Sequence, residues 1–203
     1  QGTLYGRNAM GGVINIITKQ PTNQLRANVE LNVGNYGQHR FGYGIRFPIL
    51  KDKLFAGFAG VYEGRKGFYT NEFNNKSFDR QRGATGNYYL KYIPSSKWNM
   101  TLNVKHSWNR NHGTFPLTMN PDSALKYPFK LNQDAVTKMI DDIFNGSLSI
   151  NHFGNGFHFS SQTAYQTNHR YYDQPIDGDF SPIDGVTIIN NYGDDWNKVK
   201  VLT

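Results

Sequence analysis

Apolar and polar residues alternate along much of the chain, which is the pattern of β-strands with two unlike faces. The alternation is clearest at residues 98–109, where every second residue from Trp98 is apolar, aromatic or His106 and the residues between are polar. Residues 25–33 alternate in the same way, and an Asn-Tyr-Gly turn at 35–37 predicts an antiparallel hairpin with the next strand. Further strands are expected near residues 41–47, 54–62, 88–92, 144–151, 157–165 and 196–203.

The connections between the expected strands fall into two classes. Turns near Pro48, Pro94 and Gly154 are short, whereas the segments that begin near residues 67, 111 and 168 are long. A short helix is expected in the second long segment, from Gln133 to Met139. Connections at one end of the sheet are therefore tight and those at the other end mostly long, with the short turn at Asn35 as the exception on the long side. This asymmetry, with strands of about 10 residues, is typical of outer-membrane β-barrels rather than of soluble β-sandwiches.

Composition and charge narrow the class of protein further. Hydrophobic residues make up 37% of the chain and aromatic residues 15%, with 21 glycines, a balance that suits strands with one apolar face. No run approaches the roughly 18 to 20 apolar residues that a membrane helix needs. Cysteine is absent, which excludes disulfides and thiolate metal sites. The net charge of +7 is dispersed rather than clustered, so nucleic-acid binding is not expected.

The opening segment couples a glycine-rich turn to a β-branched strand. Residues 4–19 read Leu-Tyr-Gly-Arg-Asn-Ala-Met-Gly-Gly-Val-Ile-Asn-Ile-Ile-Thr-Lys. Taken alone, these residues predict a turn followed by a buried strand. The spacing of Gly6 and Gly11 also suggests a phosphate-binding loop, but Gly12 stands where that motif needs its lysine, and no serine or threonine follows.

This segment closely resembles the end of the plug domain in TonB-dependent outer-membrane receptors. In that family the pattern Leu-Tyr-Gly-x-x-Ala-x-Gly-Gly-x-Ile-Asn-Ile-x-Thr-Lys runs through the last strand of the plug and leads to the first barrel strand. The matching positions follow one another without a gap: Leu4, Tyr5, Gly6, Ala9, Gly11, Gly12, Ile14, Asn15, Ile16, Thr18 and Lys19.

The resemblance implies an all-β fold, an antiparallel transmembrane β-barrel that encloses a plug. Residues 1–22 would be the C-terminal end of the plug, and residues 23–203 the N-terminal part of the barrel. The family's barrel has about twenty-two strands, of which this chain would supply about eight. The chain is therefore expected to be an internal piece of a longer receptor, because a membrane sheet with open edges leaves backbone groups unpaired.

The resemblance also implies a function, which is uptake of a scarce nutrient across the bacterial outer membrane. A ferric siderophore is the leading cargo, and oligosaccharide, haem and cobalamin receptors share the scaffold. The expected partners are outer-membrane lipid, lipopolysaccharide, and TonB of the TonB-ExbB-ExbD complex, which would contact a segment upstream of residue 1. A passive porin would lack the plug, and a soluble β-sandwich binding module remains the more distant alternative.

Candidate ligand contacts are planar or cationic residues in the long loops, because stacking and positive charge suit a bulky anionic ferric chelate. Surface or interfacial positions are the alternative for each of them. The candidates are Tyr69, Arg80, Arg82, His112, Tyr171 and Tyr172.

Metal sites and catalysis have weaker signals. The six histidines show no zinc-ligand spacing, and the aspartates between Asp173 and Asp195 follow no EF-hand order, although a calcium site there is an open alternative. The chain has no Gly-x-Ser-x-Gly nucleophile elbow. We therefore expect no enzyme activity, no cofactor and no bound metal.

Overall fold

The structure, a computed structural model, describes residues 21–113, 116, 121–133, 137–173 and 201–202. Within these ranges the fold is dominated by one antiparallel sheet of eight strands. The elements in chain order are β1 (Arg26–Gly34), β2 (Gln38–Leu50), β3 (Leu54–Arg65), β4 (Thr70–Asn71), β5 (Lys76–Ser77), β6 (Gln81–Tyr92), β7 (Trp98–His112), α1 (Pro121–Lys126), β8 (Lys130–Leu131), β9 (Lys138–Phe153), β10 (His158–Tyr172) and β11 (Val201–Leu202). The strand order of the large sheet is β1-β2-β3-β6-β7-β9-β10-β11.

The first hairpin forms as the alternation predicts. Arg26 lies opposite Arg46 and Gly34 opposite Gln38, with an unbroken register between. The turn places Tyr36 at φ 59° and Gly37 at φ 65°, a left-handed conformation that glycine adopts at little cost. Because each later strand also pairs with its neighbour in antiparallel register, the alternation in one strand extends across the sheet.

The large sheet has one apolar face and one mostly polar face, the exception being β3, where Phe55, Ala59 and Val61 lie on the mostly polar side. Val29, Leu31 and Val33 are 69%, 72% and 88% exposed, and the residues that alternate with them are polar. The strand pairing continues this apolar face across the sheet. Its members on the later strands include Phe41, Phe58, Leu90, Leu102 and Leu148. We call this the outward face, and the polar one the inward face. Among the described residues no second protein layer covers the outward face, which is expected of a surface that contacts lipid.

The ends of the sheet differ as predicted. The short turns follow Leu50, Tyr92 and Phe153, and the long connections lie at the opposite end. Two of the long connections meet in a second, three-stranded sheet with the order β5-β4-β8. In it β4 pairs antiparallel with β5 and parallel with β8. The buried apolar residues of this end include Phe78 and Leu131, at 2% and 4% exposed.

Several local predictions need correction. The helix expected from Gln133 to Met139 is wrong over the described residues, because β9 already begins at Lys138 and the short helix α1 lies earlier. β6, β9 and β10 are also longer than predicted, since polar residues at their loop ends still pair with neighbouring strands. No described helix has the length and apolar character needed to cross a bilayer.

Candidate functional site

The connection between β3 and β6 is organised around one buried carboxylate. Asp79 is 6% exposed, and its Oδ1 atom accepts hydrogen bonds from the backbone N–H groups of Phe68 and Tyr69 at 2.7 and 2.8 Å. Its Oδ2 atom lies 3.5 Å from a guanidinium nitrogen of Arg65. That guanidinium also lies 4.1 Å above the ring of Phe68. Burial of a carboxylate is tolerated here because its oxygens have charged and backbone partners.

The same connection is joined to the one between β7 and β9 by backbone and side-chain hydrogen bonds. The N–H of Thr70 donates to the carbonyl of Phe129, and the N–H of Glu72 donates to the carbonyl of Leu131, both at 2.8 Å. Glu72 also forms an exposed ion pair with Lys130, at 3.1 Å. We call residues 66–80 and 127–133 together the external platform. Its two halves form one hydrogen-bonded unit above the sheet.

Buried amides complete the junction inside the external platform. Asn71 and Gln133 are 1% and 2% exposed. The Asn71 side-chain amide donates to the carbonyl of Gln133 and accepts from its N–H, at 2.6 and 3.1 Å. The ring of Tyr69 meets that of Phe129 edge to face, with centroids 5.8 Å apart. The junction therefore combines polar specificity with a small apolar core.

Positively charged residues collect on the outward face at the loop end of β6, β7 and β9. Arg82 lies directly opposite Arg110, and His112 directly opposite Lys138. The N–H of His112 donates to the carbonyl of Arg80 at 2.8 Å. We call Arg80, Arg82, Arg110 and Lys138 the outward cation group.

Two members of the outward cation group are paired with carboxylates. Arg110 donates two hydrogen bonds to Asp142, at 2.9 and 3.2 Å. The ammonium of Lys138 lies 2.7 Å from Asp173. By contrast, Arg80 and Arg82 form no ion pair with a described residue, and Arg82 Nε has no acceptor there. The group therefore carries more positive than negative charge.

The pKa of His112 shows the electrostatic effect of the outward cation group. A tilted strand crosses a bilayer in about 9 to 11 residues. Counted from Trp98 at the short-turn end of β7, such a crossing ends near Trp108, and His112 lies beyond it at the loop end. Burial, with the positive charges of Lys138, Arg80 and Arg82, holds the pKa of His112 below its ordinary value, and Asp173 acts in the opposite direction. The imidazole is therefore neutral at neutral pH.

The inward face presents a polar wall. Gly57 lies beneath the ring of Tyr89, and a Cβ atom at Gly57 would lie 2.1 Å from Tyr89 Cε1. Nearer the loop end, Arg170 donates to Asp141 at 3.0 Å. Asp141 is 5% exposed, and its Oδ1 atom has no hydrogen-bond partner among the described residues. Such a wall can contact a polar plug or a hydrated ligand. Contact with hydrocarbon would be unfavourable, because its polar groups would lose their hydrogen bonds to water.

The predicted ligand contacts lie in three places. Arg82, His112 and Tyr171 share the outward register, and Arg80 precedes β6 beside them. Tyr172 lies opposite Met139 on the inward register. Tyr69 is half-buried within the external platform. The structure therefore places apart residues that the sequence analysis had grouped because all of them fall in or near the long loops.

Some residues that organise this end were missed by sequence reasoning. Asn71, Asp79 and Gln133 sit in polar segments with no period, and only their burial distinguishes them. The plug-like motif at 4–19 and the aspartates between 177 and 195 lie outside the described residues. Among the residues that the structure does describe, no three histidine, aspartate or glutamate side chains are grouped closely enough to hold a metal ion.

Comparison with known proteins gives sequence relatives and a structural neighbour, while no family model matches. The pesticin receptors of Yersinia enterocolitica and Yersinia pestis are 30% identical over 102 residues, which is 49% of this chain and 15% of theirs. The crystal structure of the ferric yersiniabactin uptake receptor FyuA from Yersinia pestis matches with a TM-score of 0.73 and 23% identity. That match covers 85% of this chain and 27% of the receptor.

The chain therefore spans about 15% of the length of the curated relatives and 27% of the solved receptor. The structural match covers most of the chain and establishes the fold, and the sequence match establishes homology over about half of it. Together they confirm the resemblance predicted from residues 4–19 and the β-barrel fold that it implies. The chain is homologous to part of the pesticin receptors and has the β-barrel fold of the ferric yersiniabactin uptake receptor FyuA over the part that it matches.

Proposed function

We propose that the protein is part of a TonB-dependent receptor in the bacterial outer membrane that takes up a ferric siderophore. The observation that carries the proposal is the two-faced antiparallel sheet, with long connections at one end only, in a chain homologous to the pesticin receptor. An apolar outward face suits lipid, and a polar inward face suits a plugged lumen. The solved neighbour's own name, a ferric yersiniabactin uptake receptor, supports a ferric siderophore as cargo.

The proposal divides the chain at the start of the barrel. Residues 1–22 are proposed to be the C-terminal end of the plug, because residues 4–19 carry the plug-like motif. Residues 23–203 are proposed to be the N-terminal part of the barrel, and the first strand begins at Arg26. TonB is proposed as the partner that drives transport, through a plug segment upstream of residue 1.

Transport would proceed from the long connections to the lumen. The external platform is proposed to receive the ligand, because its two connections are joined and can present one preorganised surface. Tyr69 on this platform and Tyr172 on the inward register are the proposed ligand contacts. Force from TonB would then rearrange the plug, so that the ligand passes along the polar inward face. No chemical step is proposed for this transfer.

The test expresses the full-length gene in a bacterial host that has an outer membrane and makes no siderophore of its own. We expect iron limitation to raise expression, and iron-55 supplied as the ferric siderophore to accumulate only when both the receptor and TonB are present. Haem, cobalamin and maltooligosaccharide serve as competing cargoes. Accumulation that is independent of TonB would contradict the transport mechanism. TonB-dependent uptake of one of these other cargoes, without siderophore uptake, would contradict the choice of ligand.

A further inference from the structure

The junction between residues 1–22 and the first strand is fixed by a pair of side chains. Asn23 lies three residues before β1 begins, and Asp52 lies in the short turn between β2 and β3. The backbone N–H of Asp52 donates to Asn23 Oδ1 at 2.8 Å, and Asn23 Nδ2 donates to Asp52 Oδ1. Both ends of the Asn23 amide are therefore bound to a single residue that lies 29 positions later in the chain. We call Asn23 and Asp52 the junction clamp.

The turn that binds Asn23 is itself well anchored. Asp52 has a φ of 62°, a left-handed conformation that aspartate and asparagine adopt more readily than most other residues. The N–H of Lys53 donates to the carbonyl of Leu50 at 3.1 Å and closes the turn. The carbonyl of Lys53 accepts from the N–H of Ile93, at 2.7 Å, in the short connection after β6. The junction clamp therefore attaches residue 23 to two neighbouring short turns.

The junction end of β1 is the weakest part of the strand. Arg26 lies directly opposite Arg46, a placement in which like charges repel. Arg26 donates to Gln24 at 2.8 Å, and neither arginine forms an ion pair with a described residue. From Val29 onward the outward residues would contact lipid, and opening the strand there would leave backbone groups unpaired in hydrocarbon. A force on residues 1–22 is therefore expected to open β1 from residue 23 to about residue 28.

The two ends of the first hairpin are held in different ways. At the loop end, the N–H of Lys66 donates to the carbonyl of Tyr36 at 2.9 Å. The ring of Tyr36 also meets that of Phe68 edge to face, with centroids 4.8 Å apart. The external platform therefore holds the loop end. At the other end the corresponding attachment is the junction clamp, which is the first contact that a load on residues 1–22 would reach.

We propose that the junction clamp holds the barrel side of the junction while TonB pulls on the plug. The pulled chain then ends at residue 22, and the first residues of β1 stay paired with β2. This preserves the closed sheet, because an open edge in a membrane leaves backbone groups without partners. Asn23 and Asp52 are positioning residues, which keep the first hairpin in register under load. The inference rests on the proposed transport function, since it requires a force on residues 1–22.

The test pulls single full-length receptors in lipid bilayers by a covalent handle at the start of the plug. N23A removes both hydrogen bonds of the junction clamp. D52G removes the carboxylate but keeps the turn, because glycine adopts a φ of 62° without strain. D52N keeps an oxygen acceptor for the Asn23 amide and is the conservative variant. N155A is the control, since Asn155 is exposed in the short turn between β9 and β10. Heat-modifiable migration on gels verifies that each barrel is folded.

We expect N23A and D52G to lengthen by a further step of roughly 20 Å after the plug is extended, which is the length of residues 23–28 as extended chain. The unmodified receptor, D52N and N155A should stop without this step. The step in any of these three, or its absence in N23A or D52G, would overturn the clamp. Siderophore affinity without load should be equal in all variants, and a lower affinity in N23A would show that the pair shapes the resting ligand site instead.

Uptake of iron-55 as the ferric siderophore is measured in parallel. In the host with TonB, N23A and D52G should accumulate less iron than D52N and N155A, because part of the applied force opens β1. The pulling experiment needs neither cargo nor TonB. An unmodified receptor that shows the expected pulling behaviour but no TonB-dependent uptake would therefore contradict only the proposed transport function.

Discussion

Asn71 and Gln133 are 62 residues apart in sequence and are joined by two hydrogen bonds in the interior of the external platform. The Asn71 side chain pairs with the backbone of Gln133 as a neighbouring strand would. It thereby connects the segment after β3 to the segment before β9. Because both residues are almost fully buried, the pairing has no competition from solvent.

Replacement of Asn71 should therefore loosen both connections at once. In N71A the N–H and carbonyl of Gln133 lose their side-chain partner, which costs about 1 to 3 kcal/mol of local stability. Hydrogen exchange in peptides covering residues 68–78 and 128–133 should become faster together. Asn132 is exposed, and N132A serves as the control. Faster exchange in only one of the two peptides would show that the connections move independently.

Two neighbouring residues in β7 test the assignment of the faces. Leu102 lies on the outward register and Asn103 on the inward register. Near the bilayer midplane, L102R should lower the free energy of unfolding by about 2 to 4 kcal/mol, because a lipid-facing arginine is poorly solvated. N103R places the same side chain in the polar lumen and should have a much smaller effect. Urea unfolding of the full-length receptor in lipid vesicles measures both, and similar costs would refute the two-faced sheet.

The contact between Gly57 and Tyr89 predicts a steric effect on the inward face. In G57A the new methyl group would lie 2.1 Å from Tyr89 Cε1, so the ring has to move, at a cost of about 1 to 3 kcal/mol. G146A is the control, because the nearest atom to its Cβ would be 3.6 Å away. Adding Y89A should remove the penalty of G57A. Additive costs in the unfolding experiment would show that the two positions are uncoupled.

His112 predicts a dependence on pH near the base of the loops. Its folded-state pKa is lowered, so the unfolded state takes up the proton first as the pH falls through about 6.5. Local stability is therefore unaffected above that range and decreases below it. Carbon-13 histidine labelling should show His112 titrating below pH 6.5, and R80Q should raise its midpoint. A normal midpoint that R80Q leaves unchanged would refute the proximity of the cations.

The alternation of apolar and polar residues determined most of the large sheet. A period of two is a local property of the chain, and it set both the strand assignment and the face on which Leu102 and Asn103 lie. The tight turns could also be predicted, because the Asn-Tyr-Gly turn contains a glycine, the residue that adopts the positive φ of Gly37 at little cost. The motif at residues 4–19 gave the family resemblance, because a motif is defined by the order of its residues along the chain and needs no tertiary contact.

The tertiary structure decided what no local pattern carries. The external platform exists because segments about 60 residues apart meet, so neither Asn71 nor the parallel pairing of β4 with β8 had a signal in its own neighbourhood. The sequence also did not show how far the strands extend at the loop end. Polar residues there, such as Lys138, form ladder hydrogen bonds only when a partner strand is present. The pairing register of β6, β7 and β9 places the side chains of Arg82 and His112 on the outward face. The face on which a side chain lies depends on its position in the strand pairing and not on its residue type.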